Sequence, residues 1–489
     1  MEKLRLLCLL LIPCLLSAQE RAGDRESVDL TIYNQNIALI REVRSVDLSK
    51  GINQVIVPDI PTTIDGSSLH CSSLTAPDDI KILEQNYQYD LVHQAKLMEK
   101  YIGKDIEFIR VDPTTNKENV VRGKLLATGW MSQGYGNYSQ SGSMIAEING
   151  KIEIAPAGRI VLPALPEGLV LKPQLAWMLQ AAQSGAQKLE ISYLAGGLTW
   201  ECTYVALLDK DDAAIDLTAW VTITNMSGSQ FKDAGLKLVA GDVNLQPERA
   251  VMARVAKSMD YINEEEEFQQ KDFFEYKLYT LQRTTDINDR ETKQIELVSA
   301  HGVKAEKMFV YDGLNQSWKM WSNNSSYREQ SSFGQQSGTK VGVYVIFQNT
   351  KENKLGIALP KGKMRLYKRD TDAKEQFLGE DEIDHTPKDK EVRLFVGNSF
   401  DLVGKRVQKD FRVIVPHHVI EETIEITLEN HKDSPVAIHV YEHPWRWSGW
   451  NIVASSAKWE KVDQTTLRSL VSLEGNQNKV ITYTLRYSW

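Results

Sequence analysis

The sequence predicts a mainly β protein made of several β-domains in series, including an immunoglobulin-like C-terminal sandwich and one or two short helices. Three observations predict this class. Residues 198–208 alternate apolar and polar side chains over eleven positions, which is the period of a strand with one buried face. Many short strand-like segments are separated by Gly, Pro, Asn and Asp. After residue 391, seven such segments follow within about a hundred residues, the rhythm of an immunoglobulin-like sandwich.

Length and composition restrict the class of protein further. The chain has 489 residues, too many for one core, and its 42% apolar and 25% charged residues are ordinary for a folded protein. The net charge is −8, with acidic and basic residues interspersed, so a nucleic-acid partner is disfavoured.

The N-terminus has the pattern of a secretory signal peptide. Lys3 and Arg5 accompany the apolar stretch 4–16, and Ser17 and Ala18 supply the small residues of a cleavage site. We therefore expect residues 1–18 to be removed. The apolar stretch is too short for a permanent membrane span and no other window is long enough, so no transmembrane helix is predicted.

Two cysteines, Cys71 and Cys202, remain after the signal peptide. An oxidising compartment would allow one disulfide between them. We favour two separate buried thiols, because Cys202 shares its apolar face with Trp200 and Tyr204, and two cysteines over a long chain make no disulfide framework.

The first half of the mature chain divides into two predicted domains. Residues 19–85 form an N-terminal β-domain with Pro and Asp-Gly breakers. Residues 86–165 form a helix and a small β-barrel-like domain. The helix is predicted over 90–102, with Asp90 as its N-cap and Gly103 at its end.

A central β-domain is predicted over 166–245 and 273–390, with the linker 246–272 inserted. The linker carries the acidic run 264–267. Gly196 and Gly197 are expected to form a hairpin turn. The stretch 171–182 fits a helix and a strand about equally, and the polar stretch 313–340 is expected to be a mobile loop.

The C-terminal sandwich, 391–489, has seven predicted strands. They cover residues 392–396, 410–415, 422–429, 436–442, 450–455, 469–473 and 479–487.

The most polar short cluster in the chain surrounds Asp384 and His385. Four carboxylates beside a histidine could bind a cation or perform acid–base chemistry. The simpler interpretation is a solvated turn in which Asp384 orients His385 or caps a local backbone group. We retain both residues as candidates.

Two histidine motifs are weaker candidates. His439, Glu442 and His443 spell the H-x-x-E-H pattern of zinc peptidases, which requires a helix. The β-branched residues around His439 and Pro444 after His443 favour a strand, where the two histidines stand too far apart to share an ion. The adjacent pair His417 and His418 is expected in a turn.

Trp445, Trp447 and Trp450 lie within six positions. Exposed, they could stack on sugar rings or on an apolar partner surface, with Arg446 stacked between them. Buried, they would cover one end of the sandwich core, the interpretation that we favour.

A series of longer motifs resembles a known family. In order they are YLAGGLTWECTYV (193–205), GDVN (241–244), FFEYKLYTL (273–281), ETKQIEL (291–297), EKMFVYDG (306–313), LGEDEIDHTPKDK (378–390), VGNSFDLVGKRVQKDF (396–411) and LENHKDSPVAIHVYEH (428–443). The series resembles domain-of-unknown-function family 4139, related to the mucoidy-inhibitor type of bacterial exported proteins. The resemblance implies a β-rich protein of a Gram-negative envelope, and no reaction, cofactor or site residue.

We therefore expect a non-enzymatic protein of the periplasm or cell surface that binds an envelope protein or a polysaccharide. No cofactor or metal is predicted. The alternative is a metal-assisted hydrolase with a site near Asp384 and His385.

Overall fold

The computed structural model describes residues 19–89, 91–132, 138–140, 142–166, 168–241, 243, 268–315, 317–322, 324–332, 337–370, 372 and 374–489. It is mainly β, with 63% strand and 4% helix, so the predicted fold class is confirmed. The predicted signal peptide (1–18), Asp90 and the acidic run 264–267 lie outside these ranges. In the described part of the chain, no helix is long and apolar enough to cross a membrane.

The strands are numbered in chain order. The first group comprises β1 (Gln19–Arg21), β2 (Arg25–Tyr33), β3 (Ile37–Leu48), β4 (Gly51–Pro58), β5 (His70–Ser73), β6 (Ile80–Gln88), β7 (Asp105–Val111), β8 (Glu118–Ala127), β9 (Trp130–Ser132), β10 (Tyr138–Gln140), β11 (Ile145–Ile148), β12 (Lys151–Ile154) and β13 (Arg159–Val161). The second comprises β14 (Gln174–Ala181), β15 (Gly185–Gly196), β16 (Leu198–Leu208), β17 (Ala214–Asn225), β18 (Phe231–Ala240), β19 (Phe268–Phe273), β20 (Tyr276–Leu281), β21 (Thr285–Ile287) and β22 (Glu291–Asp312). The third comprises β23 (Lys340–Gln348), β24 (Gly362–Arg369), β25 (Glu375–Ile383), β26 (Glu391–Val415), β27 (Val419–Asn430), β28 (Val436–Glu442), β29 (Trp450–Ser455), β30 (Glu460–Asp463), β31 (Thr466–Leu473) and β32 (Asn478–Ser488).

Two helices complete the secondary structure of the described residues, α1 (Gln94–Lys100) and α2 (Trp318–Trp321), with 3-10 turns at Gly66–Ser68 and Ser325–Tyr327. Helix α1 is shorter than the predicted helix 90–102. His93 occupies its N-cap position without a side-chain cap hydrogen bond.

The N-terminal strands share their sheets with strands from the middle of the chain. One sheet has the order β1-β4-β14-β6, and another has the order β19-β20-β18-β2-β3-β15-β5, with β21 beside β18. Their apolar side chains belong to one continuous core, which also contains the buried face of β16 and β17. The N-terminal segment is therefore held by pairing with β15 and β18, which lie well over a hundred residues later.

Gly196, the last residue of β15, and Gly197 do not form a hairpin turn, contrary to the prediction. Strand β15 pairs with β3 and β5, whereas β16 pairs with β17 and β24, so the chain changes sheets at Gly196 and Gly197. Gly197 has φ +76°, and a Cβ there would lie 2.8 Å from the Met226 carbonyl oxygen. Met226 directly follows β17, the partner of β16, so the glycine permits a close approach between these two strands where the chain enters their sheet.

The predicted alternation itself is confirmed, since every second residue of β16 from Leu198 to Leu208 is buried. The ambiguous stretch 171–182 forms strand β14. Residues 268–272 of the predicted linker lie in β19.

Residues 86–165 contain α1 and a small sheet with the order β12-β11-β8-β7-β13. Strands β12 and β13 lie at opposite edges and do not pair, so the barrel-like arrangement is not closed. One face of this sheet packs with α1 around Met98, Phe108 and Leu125.

The largest sheet has the order β25-β24-β16-β17-β22-β23-β26-β27-β32-β29, and β22 also pairs with β28, which leads to β31 and β30. Strand β26 joins two predicted strands, 392–396 and 410–415, into one continuous strand. Its first part pairs with β23 and its second part with β27. A separate core lies among β27, β28, β31 and β32.

The stretch 313–340, expected to be a mobile loop, contains α2 and the 3-10 turn Ser325–Tyr327. Backbone carbonyls of this stretch accept hydrogen bonds from Arg446 in the C-terminal sandwich. The polar composition of the stretch gives no sign of these contacts with a distant part of the chain.

Candidate functional site

Asp384 and His385 follow β25 but do not form a common site. The Asp384 side chain is exposed, and its backbone carbonyl accepts a hydrogen bond of 2.7 Å from Thr386 Oγ1. His385 is half-buried, and its Nδ1 accepts the Lys361 backbone N–H at 3.0 Å. A neutral ring that accepts at Nδ1 carries its proton on Nε2, which then cannot ligate a metal.

His385 nevertheless lies in the wall of a cavity of about 690 Å³, here called the sheet groove. Most of its lining side chains project from the outer side of the β17-β16-β24-β25 sheet, whereas Trp200 and Cys202 belong to the buried face of β16 and Asn34 to the turn between β2 and β3. Asp384 is not among its lining residues. These are Asn34, Thr199, Trp200, Glu201, Cys202, Thr203, Thr222, Thr224, Lys361, Gly362, Lys363, Arg365, Glu382 and His385.

The strand register arranges the outward side chains of the sheet groove in rows. Thr199 lies opposite Thr224. Glu201 lies opposite Thr222, whose Oγ1 accepts a hydrogen bond of 3.1 Å from Gln294 Nε2. Because residues paired across strands project to the same face, these side chains form one polar surface.

A second row brings an aromatic ring beside the groove. Thr203 pairs with Trp220 on one side and with Lys363 on the other, and Lys363 pairs with Glu382. Trp220 is half-buried and therefore keeps part of its ring accessible on this outer face. The surface thus combines hydroxyl groups, charged groups and one indole.

The cations of the sheet groove are paired with carboxylates at its rim. Lys361 Nζ lies 3.3 Å from Glu382, while Lys363 Nζ and Arg365 Nε lie 3.2 and 3.4 Å from Glu380. The hydrogen bond from Lys363, together with Arg365, lowers the pKa of Glu380. The carboxylate of Glu201 is exposed at the groove floor.

Asn34 stands in the turn between β2 and β3 and also lines the groove. Its Oδ1 atom is buried and has no hydrogen-bond partner among the residues that the structure describes. A buried acceptor without a donor is costly, but because this atom has almost no accessible surface, a ligand in the groove cannot reach it unless the turn moves.

The cysteines are not nucleophiles of this site. Cys71 and Cys202 are both free, which confirms the expectation of separate thiols. Burial raises the pKa of each thiol to about 12, so both stay protonated near neutral pH. Cys202 is buried beneath the groove floor, where its backbone closely approaches Gly362.

The H-x-x-E-H pattern lies on strand β28 and just beyond its end, and Glu442 and His443 have separate partners, whereas His439 Nδ1 is buried without a hydrogen-bond partner among the described residues. Glu442 accepts hydrogen bonds from Arg406 Nε at 3.0 Å. His443 Nε2 lies 3.2 Å from Asp312 Oδ2, and its Nδ1 lies 3.1 Å from the Thr465 carbonyl oxygen. Burial lowers the pKa of His439.

Within the described ranges, no group of three or more His, Cys, Asp or Glu residues is arranged to hold a metal ion. His417 and His418 also have separate partners. The His417 backbone N–H donates to Glu329 at 2.6 Å, and His418 Nδ1 lies 3.2 Å from the Trp489 carbonyl oxygen.

The three candidate tryptophans pack at the end of the C-terminal sandwich. Trp445 is 3% exposed, so its ring is not available for stacking on a ligand. Trp447 is half-buried under the guanidinium of Arg328, 3.8 Å from the ring centre. Trp450 is half-buried, and its Nε1 donates to the Gln464 carbonyl oxygen at 2.8 Å. These rings cover the end of the core, which is the role that the sequence favoured.

The outward side chains of β16 and β17 are not among the candidates predicted from the sequence, because that prediction uses only the buried half of the alternation. A signal was present, since Thr199, Thr203, Thr222 and Thr224 occupy the polar half of the same pattern. The contribution of β24 could not be read from the chain, because its parallel pairing with β16 joins residues about 160 positions apart.

No protein-family model matches this chain, and no curated protein matches it. The resemblance to domain-of-unknown-function family 4139 therefore stays a prediction.

Proposed function

We propose that this chain is a non-enzymatic exported protein of a bacterial envelope, and that it binds a polysaccharide along the sheet groove. The observation that supports this proposal most strongly is the outer face of β17, β16 and β24. There, threonine hydroxyls, Glu201 and Lys363 line a cavity of about 690 Å³, and Trp220 lies next to Thr203 on the same face, outside the cavity lining.

Each component of this surface suits a sugar chain. Hydroxyl groups both donate and accept, so sugar hydroxyls can exchange hydrogen bonds with the threonines and can donate to the exposed carboxylate of Glu201. The indole of Trp220 offers an apolar face against which the C–H face of a sugar ring can pack. The charged groups are largely paired with one another, which favours a neutral chain over a polyanion.

The hydrolase alternative near Asp384 and His385 has less support. Asp384 lies outside the groove lining, and His385 already accepts a backbone N–H through Nδ1. His385 therefore lies in the groove wall and holds the loop before β24 through its bond to Lys361. Binding without cleavage is the better-supported activity.

Export is part of the proposal and rests on the N-terminal pattern. The mature chain would begin at Gln19. N-terminal sequencing of the protein isolated from the periplasmic fraction of its native host tests this, and a chain that retains Met1 in the cytoplasm would contradict it.

Affinity electrophoresis in gels containing neutral or acidic polysaccharides tests the ligand class. We expect retardation by a neutral polysaccharide, and we expect Trp220→Ala to weaken the interaction about tenfold, since one aromatic contact contributes roughly 1.4 kcal/mol. Trp459→Ala is the matched control, because this half-buried tryptophan packs on Tyr483 in the other core.

Three outcomes would contradict the proposal. These are no retardation by any polysaccharide, equal effects of Trp220→Ala and Trp459→Ala, and shortening of the polysaccharide during incubation. If this chain crosslinks to an envelope protein and shows no affinity for any polysaccharide, the ligand of the groove is a protein and not a sugar chain.

A further inference from the structure

The hairpin between β26 and β27 ends in an exposed segment, residues 412–418, here called the hairpin tip. Every residue of the hairpin tip is exposed. Val413, Ile414 and Val415 are apolar, with exposed fractions of 44%, 47% and 43%. A β-bulge leaves Ile414 without a partner on β27 and interrupts the alternation that would bury every second side chain. The hairpin tip therefore presents successive apolar side chains to solvent.

Two tryptophan rings lie beside the hairpin tip, at the same end of the C-terminal sandwich. The Trp489 backbone N–H donates to the His418 carbonyl oxygen at 3.0 Å. The Arg328 guanidinium stacks on Trp447, 3.8 Å from the ring centre, and lies 5.6 Å from the Trp489 ring centre. Both rings are half-buried, so each keeps part of its surface accessible beside the apolar residues of the tip.

We propose that this end of the sandwich docks on the surface of a lipid bilayer, with the hairpin tip inserted at the level of the headgroups. Because all of its residues are exposed, the tip projects from the sandwich, and a rigid partner would need a deep pocket to cover it. The fluid boundary of a bilayer adapts to such a projection and takes up its apolar side chains. Trp447 and Trp489 suit the same place, because indole rings are enriched where headgroups meet acyl chains.

The charges at this end fit the surface of a bilayer that contains anionic lipids. Arg328 forms no ion pair within the described ranges, and the neighbouring Glu329 lies 3.6 Å from His417 Nδ1 instead. Stacked on an indole, the guanidinium can donate to a lipid phosphate. Arg412 pairs with Asp410, and the hairpin tip itself contains no acidic residue. The whole chain has a net charge of −8, so an anionic surface attracts this end more than the remainder.

Cosedimentation of the chain from Gln19 to Trp489 with lipid vesicles tests the proposal. One set of vesicles contains phosphatidylcholine alone, and the other contains phosphatidylcholine mixed with phosphatidylglycerol. We expect binding to both, and tighter binding to the mixture. Ile414→Asp should weaken binding to both at least about tenfold, because a carboxylate would have to leave water, whereas Ile414→Leu should retain it.

Val480→Asp is the matched control for Ile414→Asp. Val480 is 53% exposed on the same sandwich, but it lies near the start of β32, roughly 25 Å along the strand from Ser488 beside the tip. This variant should bind both sets of vesicles as the unchanged chain does.

The cation is tested separately. Arg328→Gln should weaken binding to the phosphatidylglycerol vesicles about fivefold and leave binding to phosphatidylcholine within about twofold, since one basic residue near an anionic surface contributes about 1 kcal/mol. Arg328→Lys keeps the charge and should keep the preference for the anionic vesicles.

Quenching by brominated phosphatidylcholine reports insertion directly and does not depend on the charged variant. We expect bromolipid vesicles to quench part of the tryptophan emission, and we expect Trp447→Phe combined with Trp489→Phe to remove most of that quenching.

Absence of binding to both sets of vesicles, or equal losses in Ile414→Asp and Val480→Asp, would overturn the proposal. Unchanged quenching in the variant that lacks both tryptophans would also overturn it, because another surface would then be inserted. A dimer that Ile414→Asp abolishes, without any vesicle binding, would overturn it as well and would assign the tip to a contact between two copies of this chain.

Discussion

Arg446 and Glu422 form an ion pair inside the C-terminal sandwich, with Arg446 Nε 2.8 Å from Glu422 Oε2 and both side chains at most 3% exposed. Through Nη1, the same guanidinium donates to the backbone carbonyls of Tyr327, Arg328 and Gln330. A single buried cation therefore ties the stretch before β23 to the sandwich core.

Replacing this cation should destabilise the sandwich and release the stretch. We expect Arg446→Met to lower the free energy of unfolding by about 3–5 kcal/mol, because Glu422 would remain buried without its partner. Urea denaturation measures the loss, and limited proteolysis should show new cleavage within residues 317–332.

Arg486→Met is the matched control. Arg486 pairs with Glu421 on the neighbouring position of β27, but its side chain is 48% exposed. Surface pairs contribute about 0–1 kcal/mol, so this variant should retain nearly full stability and resist the protease. Equal losses in the two variants would contradict the role assigned to Arg446.

The sequence predicted the strands far better than their partners. The buried half of β16 could be read directly, because strand period requires only local alternation. The change of sheet at Gly197 could not be predicted, because a glycine with positive φ is compatible both with a hairpin turn and with a chain that enters another sheet. The pairing of β2 with β18 and of β16 with β24 depends on contacts between distant segments.

The candidate sites show the same limit. His385 was a candidate because of its chemistry, and it does line a cavity. The cavity could not be predicted, because its other lining residues, such as Glu201 and Thr222, come from other strands. The sequence favours buried rings for the tryptophans beside Arg446, and it gives Arg446 a role only in the alternative, as a group stacked between exposed rings. Its burial follows from Glu422, 24 residues earlier, which no local pattern connects to it.

Alkaline pH should unfold the C-terminal sandwich through Tyr483 and Tyr487. Burial, followed by the nearby carboxylates Glu442 and Glu422, raises both pKa values well above the usual range. Above about pH 10 the unfolded chain ionises these phenols while the folded chain does not, so the folded state binds more protons and loses stability as pH rises.

The expected slope is up to about 1.4 kcal/mol per pH unit for each tyrosine. Urea denaturation between about pH 9 and pH 11 measures this slope. The range extends about one pH unit on either side of the pKa of tyrosine in the unfolded chain. Tyr487→Phe should be less stable at neutral pH, because it loses the 3.0 Å hydrogen bond to Glu422, yet it should show a shallower alkaline decline. An unchanged slope would contradict the assignment.

Ser469→Ala should maintain or raise stability. The Ser469 hydroxyl on β31 is 2% exposed and has no hydrogen-bond partner among the described residues. Removing an unsatisfied buried hydroxyl removes a desolvation cost of roughly 1 kcal/mol.

Ser227→Ala provides the opposite case at equal burial. The Ser227 hydroxyl is fully buried and donates to Asn225 Oδ1 at 2.7 Å, so its removal should cost about 1–2 kcal/mol. Thermal unfolding of the two variants should therefore shift in different directions. A lower Tm for Ser469→Ala than for Ser227→Ala would show that the Ser469 hydroxyl has a partner.

Gly362→Ala should disrupt the floor of the sheet groove. A Cβ at this position would lie 2.0 Å from the Cys202 carbonyl oxygen, so β16 and β24 would have to separate where they pair in parallel. We expect urea denaturation to show a free energy of unfolding lower by about 3 kcal/mol, the upper end of ordinary overpacking, because the obstructing atom belongs to the backbone and cannot rotate away.

Gly66→Ala is the control, since nothing lies within 4 Å of the position that its added methyl group would take, and it should change stability by less than about 1 kcal/mol. If Gly362→Ala retains both full stability and full polysaccharide affinity, the close approach of the two strands is not what shapes the groove.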